Sequence, residues 1–194
     1  MERADPVSLT STFFDRDVEV VARDLIGAEL TVAGVGGIIV EVEAYDDQDP
    51  ASHSYVGPTL RNAVMFGPPG HAYVYRIYGL HWCLNVVTGP VGSGSAVLIR
   101  ALQPTKGVDA MVTRRGVSEL RTLCAGPGRL THALAIDSSH NGAPLFEAPF
   151  SISVQEVKPE VVAGPRIGIS KATNLHRRFA AKGSAYLSRP VSLL

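Results

Sequence analysis

The sequence predicts an α+β fold: a central, mostly antiparallel sheet with flanking helices and one protruding β-hairpin. Three observations support this class. Stretches with helical periodicity and stretches with strand alternation occupy separate parts of the chain, without repeated strand–helix–strand units. The length of 194 residues suits one domain, and the hydrophobic fraction of 45% is sufficient for a core. We therefore expect a single domain over residues 1–194, in which residues 1–11 form a poorly ordered leader.

The first predicted element is an amphipathic helix in DRDVEVVARDLIG. Asp15 is a suitable N-cap, and Gly27 is a suitable C-terminal stop. Apolar residues recur between them at helical spacing: Val18, Val21, Ala22 and Leu25.

Strands are predicted next. AELTVAG and GGIIVEVEAY form a hairpin that turns in the region from Gly34 to Gly37. A long Gly/Pro-rich connection follows, DDQDPASHSYVGPTLRNAVMFGPPG, and loops of that length inside compact domains are commonly functional. HAYVYRIYGLHWCLNVVTG then predicts two strands around a tight turn at Tyr78 and Gly79. SAVLIRALQP predicts a further strand that Pro104 closes.

The second half of the chain begins with helical patterns. GVDAMVTRRG, SELRTLCAG and GRLTHALAID are predicted to be helices, and the remainder, from APLFEAPFSISVQEV onward, is predicted to form short strands. Helices and strands are thus grouped along the chain, as in an α+β fold.

Composition excludes several classes of protein. The charge is balanced at 18 basic and 18 acidic residues, whereas a strongly adhesive polyanion binder usually has a basic excess, although local patches rather than totals meet phosphate. The two cysteines lie far apart, so neither a disulfide framework nor a zinc motif is predicted. The sequence contains no apolar run of 18 residues and no signal-like N-terminus. We therefore expect a cytoplasmic protein that does not enter a membrane.

Two carboxylates lie in the strand IIVEVEAY. Period-2 alternation places Glu41, Glu43 and Tyr45 on one face of this strand. If either carboxylate is buried, it holds a proton more readily and can accept one from water as a general base. Alternatively, both are solvated residues on the outer face of an antiparallel sheet, and the spacing alone favours this second interpretation.

Aromatic residues crowd the second hairpin. Tyrosine is a good strand former, which accounts for Tyr73 and Tyr75. Tyr78 precedes a glycine at the turn, so we expect its ring to be exposed. Exposed aromatics beside arginines such as Arg61 and Arg76 are typical of proteins that stack on bases or wedge between base steps.

The histidines and acids form no recognised metal-binding or nucleophile motif. The sequence contains no HExxH, GxSxG or P-loop pattern, and His53 is isolated in the long connection. We therefore predict no metal site and no cofactor.

Four segments together resemble the alkyladenine (3-methyladenine) DNA glycosylase family: VEVEAY, ASHSYVGPTLRNAVMFGPPGHAYVYRIYGLHWCLNVVTG, VLIRALQP and LCAGPGRLTHALAI. The likeness extends from about residue 12 to residue 190. It implies an enzyme of base excision repair that flips alkylated or deaminated purines out of double-stranded DNA and hydrolyses their N-glycosidic bond. The implied lesions are 3-methyladenine, 7-methylguanine, hypoxanthine and ethenoadenine.

The resemblance also implies residue roles. Glu43 matches the residue that positions and deprotonates the attacking water, and Arg100 matches an arginine near that water and the sugar-phosphate. Tyr45, His53 and Tyr75 match the pocket that sandwiches the flipped base.

Three further roles follow from the same resemblance. Asn85 matches a steric gate against the exocyclic amino group of guanine, and Tyr78 matches the wedge that fills the gap left by the flipped nucleotide. Arg61 and Asn62 match a DNA-facing loop, and Arg76 joins them as a backbone-contact candidate.

The expected enzyme is a monofunctional monomer, because no lysine occurs between residues 1 and 105 to act as an amine nucleophile. Two alternatives remain open. One is a non-catalytic nucleic-acid-binding module of the same fold. The other is a metal-dependent nuclease that uses Glu41, Glu43 and Asp46, which full activity in EDTA would eliminate. If the protein binds DNA, its charges must be segregated, with acids such as Asp46, Asp47 and Asp49 away from the duplex.

Overall fold

The computed structural model describes residues 7–77, 79–154 and 157–191. Its strands are β1 (Val7–Ser8), β2 (Glu29–Val32), β3 (Val35–Tyr45), β4 (Ala72–Ile77), β5 (His81–Thr88), β6 (Ser95–Lys106), β7 (Phe150–Val154), β8 (Val161–Gly164) and β9 (Arg178–Ala181). Its α-helices are α1 (Ser11–Phe14), α2 (Val18–Leu25), α3 (Val108–Arg115), α4 (Leu120–Leu123) and α5 (Pro127–Leu134). The predicted α+β class is confirmed.

The described strands form one sheet in the order β1-β7-β2-β3-β6-β5-β4. Beyond the end of β2, β3 also pairs with β9, and β8 pairs with β9. All of these pairings are antiparallel. The long strand β3 therefore has neighbours on both sides along most of its length, and it carries Glu41, Glu43 and Tyr45 into the middle of the sheet.

The predicted amphipathic helix is α2, but its N-cap is Asp17 and not Asp15. The Asp17 carboxylate accepts hydrogen bonds from the backbone N–H groups of Glu19 and Val20 at 2.9 and 3.1 Å. Asp15 instead ends the short helix α1. The apolar positions Val18, Val21, Ala22 and Leu25 are buried as predicted.

The first hairpin turns at Ala33 and Gly34, since Val32 pairs with Val35. Strand β6 continues through Pro104 to Lys106, so the prediction that Pro104 closes it was wrong. The register between β3 and β6 shifts beside Pro104, opposite Gly37, and such irregularities tolerate a residue without an N–H donor. A Cβ on Gly37 would lie 1.9 Å from the Gln103 carbonyl oxygen, so only glycine permits this close approach.

The second hairpin is formed by β4 and β5, whose register runs from Ala72 opposite Val86 to Ile77 opposite His81. Tyr78, the first residue of the predicted turn, lies outside the described residues. The neighbouring Leu80 is 72% exposed.

Residues 1–6 also lie outside the described part of the chain. Val7 and Ser8, which belong to the segment expected to be a poorly ordered leader, form β1 and pair with Val154 and Ser153 of β7. The main core packs helices α2, α3 and α5 against β3, β5 and β6. No helix among the described residues is long and apolar enough to cross a membrane.

Candidate active site

Glu41 and Glu43 are both fully buried, with 0% of their surface exposed. The interpretation as solvated residues on an outer sheet face was therefore wrong. Two features account for the difference. Register shifts on either side of Glu41 break the simple alternation of β3, and segments far along the chain cover the carboxylates. Buried carboxylates require partners for their charge, and each of these has several.

The Glu43 carboxylate is held by three donors from three parts of the chain. Its Oε2 accepts hydrogen bonds from the Tyr45 hydroxyl at 2.8 Å and from Arg100 Nη1 at 3.1 Å. Its Oε1 accepts one from the backbone N–H of Ile167 at 2.7 Å. A carboxylate oxygen has two lone pairs, so Oε1, which accepts from one donor here, retains capacity for another, such as a water molecule.

The Glu41 carboxylate is bonded more completely and does not line the cavity described below. Its Oε1 accepts from Arg178 Nε at 2.8 Å, from Arg100 Nε at 3.2 Å and from the Ser188 hydroxyl at 2.7 Å. Its Oε2 accepts from the Ser188 backbone N–H at 2.6 Å. Glu41 therefore anchors Arg100 and the C-terminal segment from behind the site.

Arg100 bridges the two carboxylates. Burial disfavours its charged form, but the carboxylates of Glu43 and Glu41 outweigh burial and raise the pKa of Arg100. The guanidinium therefore stays charged beside Glu43. This arrangement places a positive charge against the Glu43 carboxylate at a site from which most water is excluded.

A cavity of about 210 Å³ opens beside Glu43. Its lining includes the predicted catalytic and base-pocket residues: Glu43, Arg100, Tyr45, His53, Tyr75 and Asn85. These residues come from β3, β4, β5, β6 and the long connection, so the sheet brings together positions up to 57 apart in sequence. The cavity combines one carboxylate with mostly aromatic and apolar walls, a composition typical of small-molecule and base pockets.

His53, Tyr73 and Tyr75 form an aromatic cluster at this cavity. The His53 ring lies edge-on to Tyr75, with centroids 4.5 Å apart, and His53 Nδ1 lies 3.0 Å from the Tyr73 hydroxyl oxygen. Partial burial, and then the positive charge of Arg61, lower the pKa of His53, so its imidazole is neutral at pH 7. Burial raises the pKa of Tyr73 to about 12 and also raises the pKa of Tyr75, so both phenols stay protonated.

Asn85 is buried on β5, opposite Tyr73 on β4. Its side-chain Nδ2 donates to the Tyr73 carbonyl oxygen at 2.9 Å. This bond fixes the amide in one orientation against the cavity wall. The side chain consequently occupies a defined volume that an incoming group must avoid.

The candidate DNA-contact residues lie outside the cavity, and they differ in how far they are exposed to solvent. Arg61 and Arg76 are exposed, and Arg61 Nη2 donates to the Arg76 carbonyl oxygen at 3.2 Å. Asn62 is buried, and its amide donates to the carbonyl oxygens of His53 and Gly57 at 2.8 and 3.0 Å. Asn62 therefore organises the loop that carries His53, and in this structure its amide is occupied within the protein.

The three acids proposed as metal ligands of a nuclease are each paired with an arginine. Glu41 and Glu43 share Arg100, and Asp46 pairs with Arg177 Nη1 at 2.7 Å. Within residues 7–77, 79–154 and 157–191, no group of three or more His, Cys, Asp or Glu side chains is arranged to hold a metal ion. This donor set favours proton transfer over metal coordination.

Sequence reasoning missed four contributors to the site: Ile167, Arg166, Arg178 and Ser188. They lie more than 120 residues after Glu43 or Glu41 in sequence and belong to no motif considered above. One signal was available. The stretch VVAGPRIGI contains a single charged residue, Arg166, among apolar and turn residues. If such an arginine is buried, it requires a partner for its charge, usually a carboxylate.

The chain matches the family model described as "Methylpurine-DNA glycosylase (MPG)" over residues 12–185. Because this match covers most of the chain, the chain belongs to the methylpurine-DNA glycosylase family. It is accordingly a DNA glycosylase, a hydrolase of N-glycosyl bonds that binds damaged DNA and acts in base excision repair of alkylation damage.

Relatives from several bacteria support the assignment, and each carries the name "Putative 3-methyladenine DNA glycosylase". The Rhodopseudomonas palustris strain CGA009 protein is 62% identical over 182 residues, covering 94% of this chain and 88% of the relative. The Nitrobacter winogradskyi protein is 60% identical over 182 residues, with the same two coverages. The Rhizobium meliloti protein is 56% identical over 177 residues, covering 91% of this chain and 94% of the relative.

Proposed function

We propose that this enzyme is a monofunctional glycosylase that flips alkylated or deaminated purines from double-stranded DNA into the cavity beside Glu43. The lesions proposed are 3-methyladenine, 7-methylguanine, hypoxanthine and ethenoadenine. The observation that carries the proposal is the buried Glu43 carboxylate, which lines an aromatic cavity and is held by Arg100, Tyr45 and the Ile167 N–H.

The proposed reaction needs one water and one base. The N-glycosidic bond breaks and its electron pair leaves with the purine, so the sugar acquires oxocarbenium character. The Glu43 carboxylate stabilises that positive charge, and water adds at C1′ while Glu43 accepts its proton. The free hydrogen-bonding capacity of Glu43 Oε1 is where the water would bind. Arg100 Nη1 donates to the other oxygen, Oε2, and holds the carboxylate in place for both tasks.

The cavity walls suit a flat, electron-poor base. Tyr45, Tyr75 and neutral His53 present rings to the cavity. An alkylated purine carries or readily acquires positive charge, and aromatic faces attract cations. A protonated His53 would repel such a base, so its lowered pKa supports this role. Neutral lesions such as hypoxanthine gain less from the rings and depend more on the rest of the site.

The absence of an amine nucleophile supports monofunctional chemistry. Among the described residues, the cavity lining includes no lysine. Hydrolysis would therefore end at the abasic site, without strand cleavage through a Schiff base.

DNA would approach on the side of the exposed arginines. Arg61 and Arg76 contact each other beside the hairpin that carries Tyr75, and both are exposed, as phosphate contacts require. Asp46 and Asp49 are neutralised by arginines within the protein, which reduces repulsion of the duplex. We propose that Tyr78 enters the gap left by the flipped nucleotide, and that the enzyme acts as a monomer.

The experiment that tests the proposed function is single-turnover release of ethenoadenine, hypoxanthine and 3-methyladenine from duplex DNA in EDTA. Release of free base, with abasic DNA left intact, is the expected result. Binding of lesion DNA without any release would instead indicate a non-catalytic binding module. Cleavage that EDTA abolishes would indicate the metal-dependent nuclease.

Replacing Tyr78 by alanine should lower excision from duplex DNA by about 10-fold or more, because unstacking a base costs a few kcal/mol that an inserted ring partly offsets. Excision from single-stranded DNA, where no gap needs filling, should change much less. The measurement compares single-turnover rate constants on the two substrates. Equal losses on both substrates would contradict the wedge.

Replacing Asn85 by serine should increase release of undamaged guanine by about 10-fold, because it removes the fixed amide that would clash with the guanine amino group. The check is the rate of guanine release from duplex DNA lacking lesions, with hypoxanthine release as the control for retained activity. Unchanged guanine release alongside normal hypoxanthine release would remove the gate assignment.

A further inference from the structure

A buried ion pair lies against Tyr45. The side chains of Arg166 and Asp49 are both 0% exposed. Arg166 Nη1 and Nη2 donate to the two oxygens of Asp49, the Nη2 bond measuring 3.0 Å, and Nη1 also donates to the Ala44 carbonyl oxygen at 3.0 Å. Asp49 Oδ1 in turn accepts from the Ala51 N–H at 2.9 Å. A two-pronged arginine–carboxylate pair of this kind fixes the plane of the guanidinium.

The guanidinium covers the Tyr45 ring. Arg166 Cζ lies 4.5 Å from the ring centroid. Tyr45 lines the cavity and Arg166 does not, so the guanidinium contacts the ring on a side away from the base site. The Tyr45 hydroxyl donates to Glu43 Oε2 at 2.8 Å. A chain of direct contacts therefore runs from Asp49 through Arg166 and Tyr45 to the carboxylate.

Stability alone is a weak reason for such a pair. Burying two charges carries a desolvation penalty that their attraction often only balances, and apolar residues of similar volume commonly do as well. An apolar side chain would also cover the ring. It would lack the hydrogen bonds to Asp49 and to the Ala44 carbonyl that determine where the covering group sits. The pair thus supplies orientation in addition to packing.

We propose that Arg166 and Asp49 are positioning residues that act through Tyr45 to orient the Glu43 carboxylate for attack by water. This inference rests on the proposed role of Glu43 and extends it to a part of the chain to which the resemblance assigns no role. Displacement of a catalytic group by about 1 Å can cost about 100-fold in rate. Loosening the Tyr45 ring should therefore affect the chemical step and leave the affinity for DNA largely unchanged.

The test is a double-mutant cycle that combines the neutral pair variant Arg166→Met/Asp49→Asn with Tyr45→Phe. Asparagine retains the acceptor for Ala51, and neutralising both partners avoids leaving one charge buried alone. Single-turnover rate constants for hypoxanthine excision are measured at saturating folded enzyme. The pair variant should lower this constant by about 10- to 100-fold in the wild-type background. In the Tyr45→Phe background, which lacks the hydroxyl, the pair variant should lower the rate constant by no more than about threefold.

Two controls accompany the cycle. Arg177→Gln removes an arginine that reaches Asp46 at 2.7 Å and Asp49 at 3.7 Å, and should keep the rate within about threefold of wild type. Arg166→Lys retains the positive charge but loses the planar guanidinium. If the pair variant does not fold, Arg166→Lys takes its place in the double-mutant cycle. The affinity for lesion-containing duplex should remain within about threefold of wild type for the pair variant and for Arg177→Gln.

Equal loss factors in the two Tyr45 backgrounds, or a wild-type rate for the pair variant, would overturn the inference. Glu43→Gln, measured alongside, separates this failure from a failure of the proposed function. An inactive Glu43→Gln with a fully active pair variant refutes only the role of Arg166 and Asp49. A fully active Glu43→Gln refutes the role of Glu43 and, with it, this inference.

Discussion

Replacing Glu43 by glutamine should lower the single-turnover rate of base excision by about 10²- to 10⁴-fold, the usual contribution of a general base. Glutamine has nearly the same shape, and its carbonyl oxygen can still accept the Ile167 N–H. It cannot take a proton from water, and it carries no charge to stabilise the sugar. The affinity for lesion-containing duplex should therefore stay close to wild type while the chemical step is lost.

Glu41→Gln is the matched control for this experiment. Glu41 is the same residue type two positions away, is equally buried, and contacts the same arginine, but it does not line the cavity. It also accepts four hydrogen bonds from Arg100, Arg178 and Ser188. We expect Glu41→Gln to reduce the free energy of unfolding more than Glu43→Gln, and the excision rate less. Equal rate losses in the two variants would contradict the assignment of Glu43 as the base.

The difference between these two glutamates also shows what local sequence can predict. Alternation in VEVEAY correctly predicts a strand. The burial of its acids depends on partners that lie far along the chain, since Ile167, Arg178 and Ser188 are 124 to 147 residues away. A periodic pattern describes only the strand itself and not what packs on it. The spacing therefore could not distinguish a solvated face from a face covered by distant segments.

Chain irregularities caused the remaining differences. The N-cap of α2 is Asp17 and not the predicted Asp15, because Asp15 ends a separate short helix, α1. Strand β6 passes through Pro104 because the register of its neighbour shifts at that point. Short helices and bulges carry little periodic signal, so boundaries of this kind are harder to predict than the existence of the elements.

The aromatic hairpin illustrates the opposite case. Its two strands are predicted from runs of β-forming residues, and β4 pairs with β5 from Ala72 opposite Val86 to Ile77 opposite His81. The composition of the cavity could not be worked out from periodicity, because His53 lies in an irregular loop. The resemblance to the glycosylase family grouped His53 with Tyr75 in one pocket. In the structure the ring centroids of these two residues lie 4.5 Å apart.

Replacing Arg100 by methionine should lower the free energy of unfolding at neutral pH by about 3–5 kcal/mol, the usual cost of removing one partner from a buried ion pair. Arg100 is the group that Glu41 and Glu43 share, with 8% of its side chain exposed. Glu41 keeps Arg178, but Glu43 keeps only neutral donors, the Tyr45 hydroxyl and the Ile167 N–H. The comparison is Arg177→Met, whose more exposed ion pairs contribute about 0–1 kcal/mol.

Denaturant unfolding of wild type and both variants at neutral pH measures these losses. A loss for Arg100→Met no larger than that for Arg177→Met would contradict the role of Arg100 as the shared partner of the two buried carboxylates.

The same substitution should also slow base excision. Arg100 Nη1 donates to Glu43 Oε2 at 3.1 Å, and displacement of a catalytic group by about 1 Å can cost about 100-fold in rate. Single-turnover rate constants at saturating folded enzyme measure this loss. A wild-type rate in folded Arg100→Met would contradict a role of Arg100 in holding the carboxylate in place.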